Sequence, residues 1–153
     1  MPYKITYVNI VTVAVVLIAV VPNRLLPSAP TTDMVERNVL GTELETCSED
    51  PTTGYLRDGC CRHLTEDAGR HELCAVMTEE FLEYSKSRGN DLVTPRPELD
   101  FPGLAAGDRW CLCIDRWLEA KAADVAPPVV LAATAQEVLD RVERSELEAH
   151  AVA

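Results

Sequence analysis

The hydrophobic pattern divides the chain before any composition is counted. Ile5 to Val21 is a nearly continuous apolar run of 17 residues, interrupted only by Thr6, Asn9 and Thr12 and bounded by Lys4 and Arg24. A helix of that length spans about 25 Å, short of the ~30 Å hydrocarbon core yet workable with local thinning of the bilayer. Two readings of residues 1–21 therefore stand. One is a membrane anchor through residues 5–21; the other is a gene-model extension upstream of a natural start at Met34. No small-x-small site marks a signal peptide, and the balanced flanking charge does not orient the segment. Pro22, Pro27 and Pro30 among Ser and Thr make residues 22–36 a Pro-rich linker, which leaves 37–150 as one domain.

Within the domain, strand-like runs hand over to helical periodicity. Asn38 to Cys61 is rich in Gly, Asp, Thr and Ser without sustained period, which predicts an ordered loop. His71 to Met77 predicts a strand. Thr78 follows as an N-cap with Glu79 and Glu80 in the first turn of a helix to about Arg88, closed by Gly89. Asn90 to Gly107 is again loop, broken by Pro95, Pro97 and Pro102. Trp110 to Ile114 predicts a second strand, with Asp115 capping a helix that carries Trp117, Leu118 and Ala122. Val129 to Leu131 predicts a third strand. Thr134-Ala-Gln-Glu137 fits a capping box for a helix through Val142, and a last short helix starts near Ser145. The expected fold is α+β: a two-layer sandwich, a small sheet with helices packed on one face and long ordered loops. Loops this long in a small domain are commonly functional.

Charge then narrows the partners. The chain holds 14 Lys and Arg against 25 Asp and Glu, a net charge of −11. From Met34 onward 12 basic face 24 acidic residues, so the domain alone carries −12. The basic residues are scattered. Such a surface repels phosphate backbones and anionic headgroups, so nucleic acid is not an expected partner, and a membrane is one only through residues 5–21. The domain itself is expected in the cytoplasm, anchored to a membrane if the apolar segment is genuine.

Six cysteines carry most of the chemistry: Cys47, Cys60, Cys61, Cys74, Cys111 and Cys113. In strand geometry Cys111 and Cys113 share a face. Adjacent Cys60 and Cys61 rarely bridge each other. No Cys-x-x-Cys pair occurs, so the common zinc knuckle and the thioredoxin-type motif are both absent. Three readings follow. The six are small buried hydrophobes in a reducing cytosol; or Cys60, Cys61, Cys111 and Cys113 with His71 gather around zinc; or the same residues form a thiol redox centre or a Cys–His nucleophile. In the last case Arg57 and Arg62 flank Cys60 and Cys61, His63 or His71 supplies the base, and Asp58 opposes the thiolate. The first reading is preferred, because burial is the usual fate of a free cysteine.

A second constellation is polar. Arg57-Asp58, Asn90-Asp91 and Asp108-Arg109 each sit in a Gly-bounded loop beside an element end, with Trp110 or Trp117 as an apolar wall for a small polar ligand. The plainer reading is that Asp and Asn hold their own turns while the arginines form ion pairs.

Several blocks resemble the uncharacterised bacterial domain-of-unknown-function family 2237: Asn38-Val-Leu-Gly41, Gly54-Tyr-Leu-Arg-Asp-Gly-Cys-Cys61, Cys74-Ala-Val-Met-Thr78, Ser87-Arg-Gly-Asn-Asp-Leu92, Phe101-Pro-Gly-Leu104, Gly107-Asp-Arg-Trp-Cys-Leu-Cys113 and Ala126-Pro-Pro-Val-Val-Leu131. The resemblance runs from Asn38 to about His150. It implies a two-layer α+β sandwich, a start near Met34 and no established activity. Where the family is expected to carry Thr-His, this chain has Thr134-Ala135, so no role for a histidine there transfers.

No phosphate loop, His-Glu-x-x-His, Gly-x-Ser-x-Gly or dinucleotide fingerprint occurs, which argues against nucleotide-dependent chemistry and serine hydrolysis. Two functions remain. The favoured one is a small binding module for a polar small molecule or a protein partner. The alternative is a thiol- or zinc-dependent enzyme or redox protein using the clustered cysteines.

Overall fold

A computed structural model describes residues 35–153; the apolar segment 1–21 and all but the end of the 22–36 linker lie outside the described residues. Among the described residues no helix is long and apolar enough to cross a membrane.

The domain is α+β, built on a two-stranded antiparallel sheet of β1 (Leu73–Val76) and β2 (Arg109–Leu112), with helices α1 (Glu79–Ser87), α2 (Ile114–Ala122) and α3 (Arg144–Ala149). The register pairs Leu73 with Leu112, Cys74 with Cys111 and Ala75 with Trp110. Side-chain alternation gives the sheet two different faces. Leu73, Ala75, Trp110 and Leu112 join the main apolar core with Phe81 and Leu82 of α1 and Ile114 and Trp117 of α2. Cys74 and Cys111 point the other way, into a separate buried cluster with Cys47, Cys61 and Ala133. Helices cover one face of the sheet and loops cover the other.

Both strand-to-helix steps occur where the sequence predicts them, but their caps differ. Thr78 caps α1 as expected, its hydroxyl accepting from the Phe81 amide at 3.1 Å. Gly89 follows α1 at φ +86°, the left-handed conformation that ends a helix cheaply only with glycine. The N-cap of α2 is Cys113, not Asp115, which lies inside the first turn.

The third strand does not form. Val129 alone bridges Ala75 and Ala151, and residues 131–133 turn into a short 3-10 segment. The preceding Pro127 and Pro128 have no amide hydrogen with which to extend a ladder. The capping-box helix also fails to form, and Gln136–Asp140 is a 3-10 turn. Thr134 is fully buried, and its hydroxyl accepts from the Cys74 amide at 3.1 Å while donating to the Val130 carbonyl at 2.9 Å. That hydroxyl is engaged by the sheet and is not free to cap.

The six cysteines are not all free. Cys47 bridges Cys74 and Cys61 bridges Cys111, over sequence separations of 27 and 50 residues. The bridges interlace in sequence and tie loop 44–61 to the cysteine face of the sheet. This corrects the expectation of six buried free thiols; only Cys60 and Cys113 are free, and both are half-buried.

Candidate functional site

Just beyond the strands the pairing steps by one residue, and the Ile114 amide donates to the Arg70 carbonyl at 3.3 Å. That crossing brings His71, entering β1, against Cys113, leaving β2. His71 Nε2 lies 2.9 Å from Cys113 Sγ. On the other side of the ring, His71 Nδ1 lies 2.8 Å from Asp67 Oδ1 and 3.0 Å from Oδ2. Asp67 also accepts from the His71 amide at 2.7 Å and the Gly69 amide at 3.1 Å. These bonds fix a tight turn that aims the imidazole at the sulfur.

The arrangement is a thiol, a base and a carboxylate that orients the base, the geometry by which nucleophilic cysteines are recognised on unrelated folds. The charge distribution fits. The hydrogen bond to Cys113 and its charge, with the Asp67 carboxylate behind, outweigh partial burial and raise His71 to about 9. Burial works to raise Asp67, yet the hydrogen bonds and charge of His71 hold its carboxyl below the ordinary carboxylate range. Cys113 is also the N-cap of α2, at the positive end of that helix's dipole.

Gly69 is required by this packing. A Cβ there would lie 2.6 Å from His71 Cε1 and 3.2 Å from Cys113 Sγ. Backbone and ring meet too closely for a side chain between them.

A cleft of about 170 Å³ opens beside the imidazole, lined by Gly54, Tyr55, Arg57, His71, Trp110 and Cys111. The Arg57 guanidinium lies 4.9 Å from the centre of the Trp110 ring. Arg57, His71 and Trp110 also line a neighbouring groove of about 400 Å³ that takes in Asn90 and Asp91.

Of the residues the sequence singled out, His71, Cys113, Arg57 and Trp110 come together. Cys61 and Cys111 are held in a disulfide, so the expected zinc set of Cys60, Cys61, His71, Cys111 and Cys113 is not assembled as free ligands. The sulfurs that do approach one another, those of Cys47, Cys61 and Cys74 within 4.8 Å, belong to the two bridges. Cys60 Sγ faces the Thr46 hydroxyl at 3.9 Å. His63 pairs with the buried Glu72 at 2.7 Å rather than with a cysteine.

Most of the polar constellation follows the turn-holding reading. Asp58 accepts from the Cys60 amide and from Arg62. Asp91 caps the turn at Val93 and Thr94. Asn90 closes α1 through Ser85, and Asp108 accepts from the Ala105 amide. Arg109 is exposed at the start of β2. Asn90 and Asp91 still border the groove; Asp58, Asp108 and Arg109 do not. Asp67 was missed, because an acidic residue four before a histidine in a loop carries no distinctive spacing.

The fold and site together define a small disulfide-bridged α+β domain with a Cys–His–Asp arrangement whose histidine lines a cleft. The chain belongs to the DUF2237 family, described as an uncharacterised protein conserved in bacteria, whose model matches residues 37–151. No curated protein matches the chain.

Proposed function

We propose that this domain is a thiol-dependent enzyme in which Cys113 is the nucleophile, His71 the acid–base partner and Asp67 the positioning residue. The 2.9 Å contact between Cys113 Sγ and His71 Nε2, backed by Asp67, carries the reading. In this scheme the Cys113 sulfur attacks an electrophilic carbon of a small substrate and forms an S–C bond. The bond to the leaving group breaks, and that group departs with the proton from His71 Nε2. His71, then neutral, takes a proton from water as the hydroxyl adds to the carbon and the S–C bond breaks, releasing the product and restoring the Cys113 thiolate beside the His71 imidazolium. The interlaced bridges favour work in an oxidising compartment.

The same cleft supports a second reading, a non-catalytic module for a small polar ligand. Alkylation kinetics separate the two, with half-buried Cys60 as the internal standard. The enzyme reading expects iodoacetamide at pH 7 to label Cys113 about tenfold faster than Cys60 or more, by peptide mass spectrometry. His71→Gln should remove most of that advantage and Asp67→Asn part of it. Equal rates at the two cysteines would favour the binding module.

A further inference from the structure

Arg62, Arg70, Arg88, Arg116, Arg141 and Arg144 each reach a carboxylate. Arg57, like Arg37, Arg96 and Arg109, reaches none among the described residues, but of these four it is the one that lies over an aromatic ring and lines both clefts beside His71. Its polar contact is a long one, 3.5 Å to the Thr52 carbonyl. Yet the domain has twice as many acidic as basic residues, so an unpaired guanidinium is not for want of partners. Its backbone is also unusual, at φ +56° in the loop between Gly54 and Gly59, a conformation that favours glycine. An arginine held at a position suited to glycine, with its head over Trp110 at 4.9 Å and lining both clefts described beside His71, has donors left over for the cleft after its one long contact to Thr52.

We propose that the substrate of this site is a small electrophile bearing a carboxylate, which Arg57 binds, with the rest of the molecule lying along Trp110 toward Cys113. This rests on the nucleophile reading above. A guanidinium offers two parallel N–H donors to a carboxylate, and stacking on an aromatic ring holds the fork in place without neutralising it. The acidic surroundings sharpen the selection. An anion is repelled by the surface at large, so its entry depends on the local positive charge of Arg57 and the His71 imidazolium.

Two reagents of nearly equal size test this on the full chain. Iodoacetate carries the carboxylate and iodoacetamide does not; with each the thiolate forms an S–CH2 bond and iodide leaves. The quantity read is the ratio of iodoacetate to iodoacetamide rates at Cys113, which cancels changes in the thiol itself. The ratio should exceed that at Cys60 by about five- to tenfold, the size expected of one charge a few ångströms away in a half-wet cleft. It should shrink as salt is raised. Arg57→Gln should lower it several-fold, and Arg57→Lys should keep much of it. A ratio unmoved by Arg57→Gln, with Cys113 still fast toward iodoacetamide, overturns the carboxylate assignment alone. Slow reaction of wild-type Cys113 with iodoacetamide overturns the nucleophile reading and this proposal with it.

Discussion

Removing the longer bridge, by Cys61→Ala with Cys111→Ala, strikes the scaffold and the site together. The bridge spans 50 residues. In the chain-entropy account, closing a loop of that size withholds about 14 cal/mol/K from the unfolded ensemble, or about 4 kcal/mol at 25 °C. For the 27-residue bridge the same relation gives about 3.5 kcal/mol, and because the two interlace their effects do not add. A domain of this size holds roughly 5–15 kcal/mol in total, so the variant should fold but with little margin. The assay is urea unfolding followed by the fluorescence of buried Trp117. With a slope of about 1.5 kcal/mol/M the midpoint should fall by about 2–3 M. Cys111 lies two residues before Cys113 and lines the cleft, so Cys113 should also lose part of its alkylation advantage in the variant. A midpoint within about 0.5 M of the parent, at unchanged slope and without reductant, would refute the bridge as a constraint on the unfolded chain.

Two further outcomes follow from the site. His71 is raised to about 9 by Cys113 and Asp67 from an unfolded value near 6.5, so it contributes stability that is complete below about pH 6.5 and is lost as pH climbs through 9. With the side chain 35 % exposed, screening reduces the effect to on the order of 1–2 kcal/mol; urea titrations at pH 6 and 9.5 should differ by that much in the parent and by little in His71→Gln. Gly69→Ala should push the imidazole off the sulfur, since the new Cβ would stand 2.6 Å from the ring; Cys113 alkylation should slow about tenfold or more, and an unchanged rate would mean the turn gives way instead.

Local signals carried far in this sequence. Thr78 with two following glutamates and Gly89 with its positive φ bracket α1 as predicted, because caps and breakers act over three or four residues. Period-two alternation through Trp110-Cys-Leu places Cys111 away from the main core, as the sheet confirms. Local signals failed where a distant group took over a local role. Thr134 would cap a helix if its hydroxyl were not bound to the Cys74 amide 60 positions earlier. Asp115 would cap α2 if the strand did not end two residues sooner, at Leu112, and leave Cys113 at that position.

The sequence by itself determined the α+β class and the family, which depend on pattern, and it named His71, Cys113, Arg57 and Trp110 only among a longer set of candidates in two separate groups. Tertiary structure alone decided which of six cysteines remain free and which histidine faces one of them. His71 and Cys113 are 42 positions apart, and only the β1–β2 register makes them neighbours. A one-residue slip of that register would turn one strand over, sending either Cys74 or Cys111 toward the main core, and would displace the thiol from the imidazole. Register is a property of two strands and the core they share, and no single stretch of chain contains it.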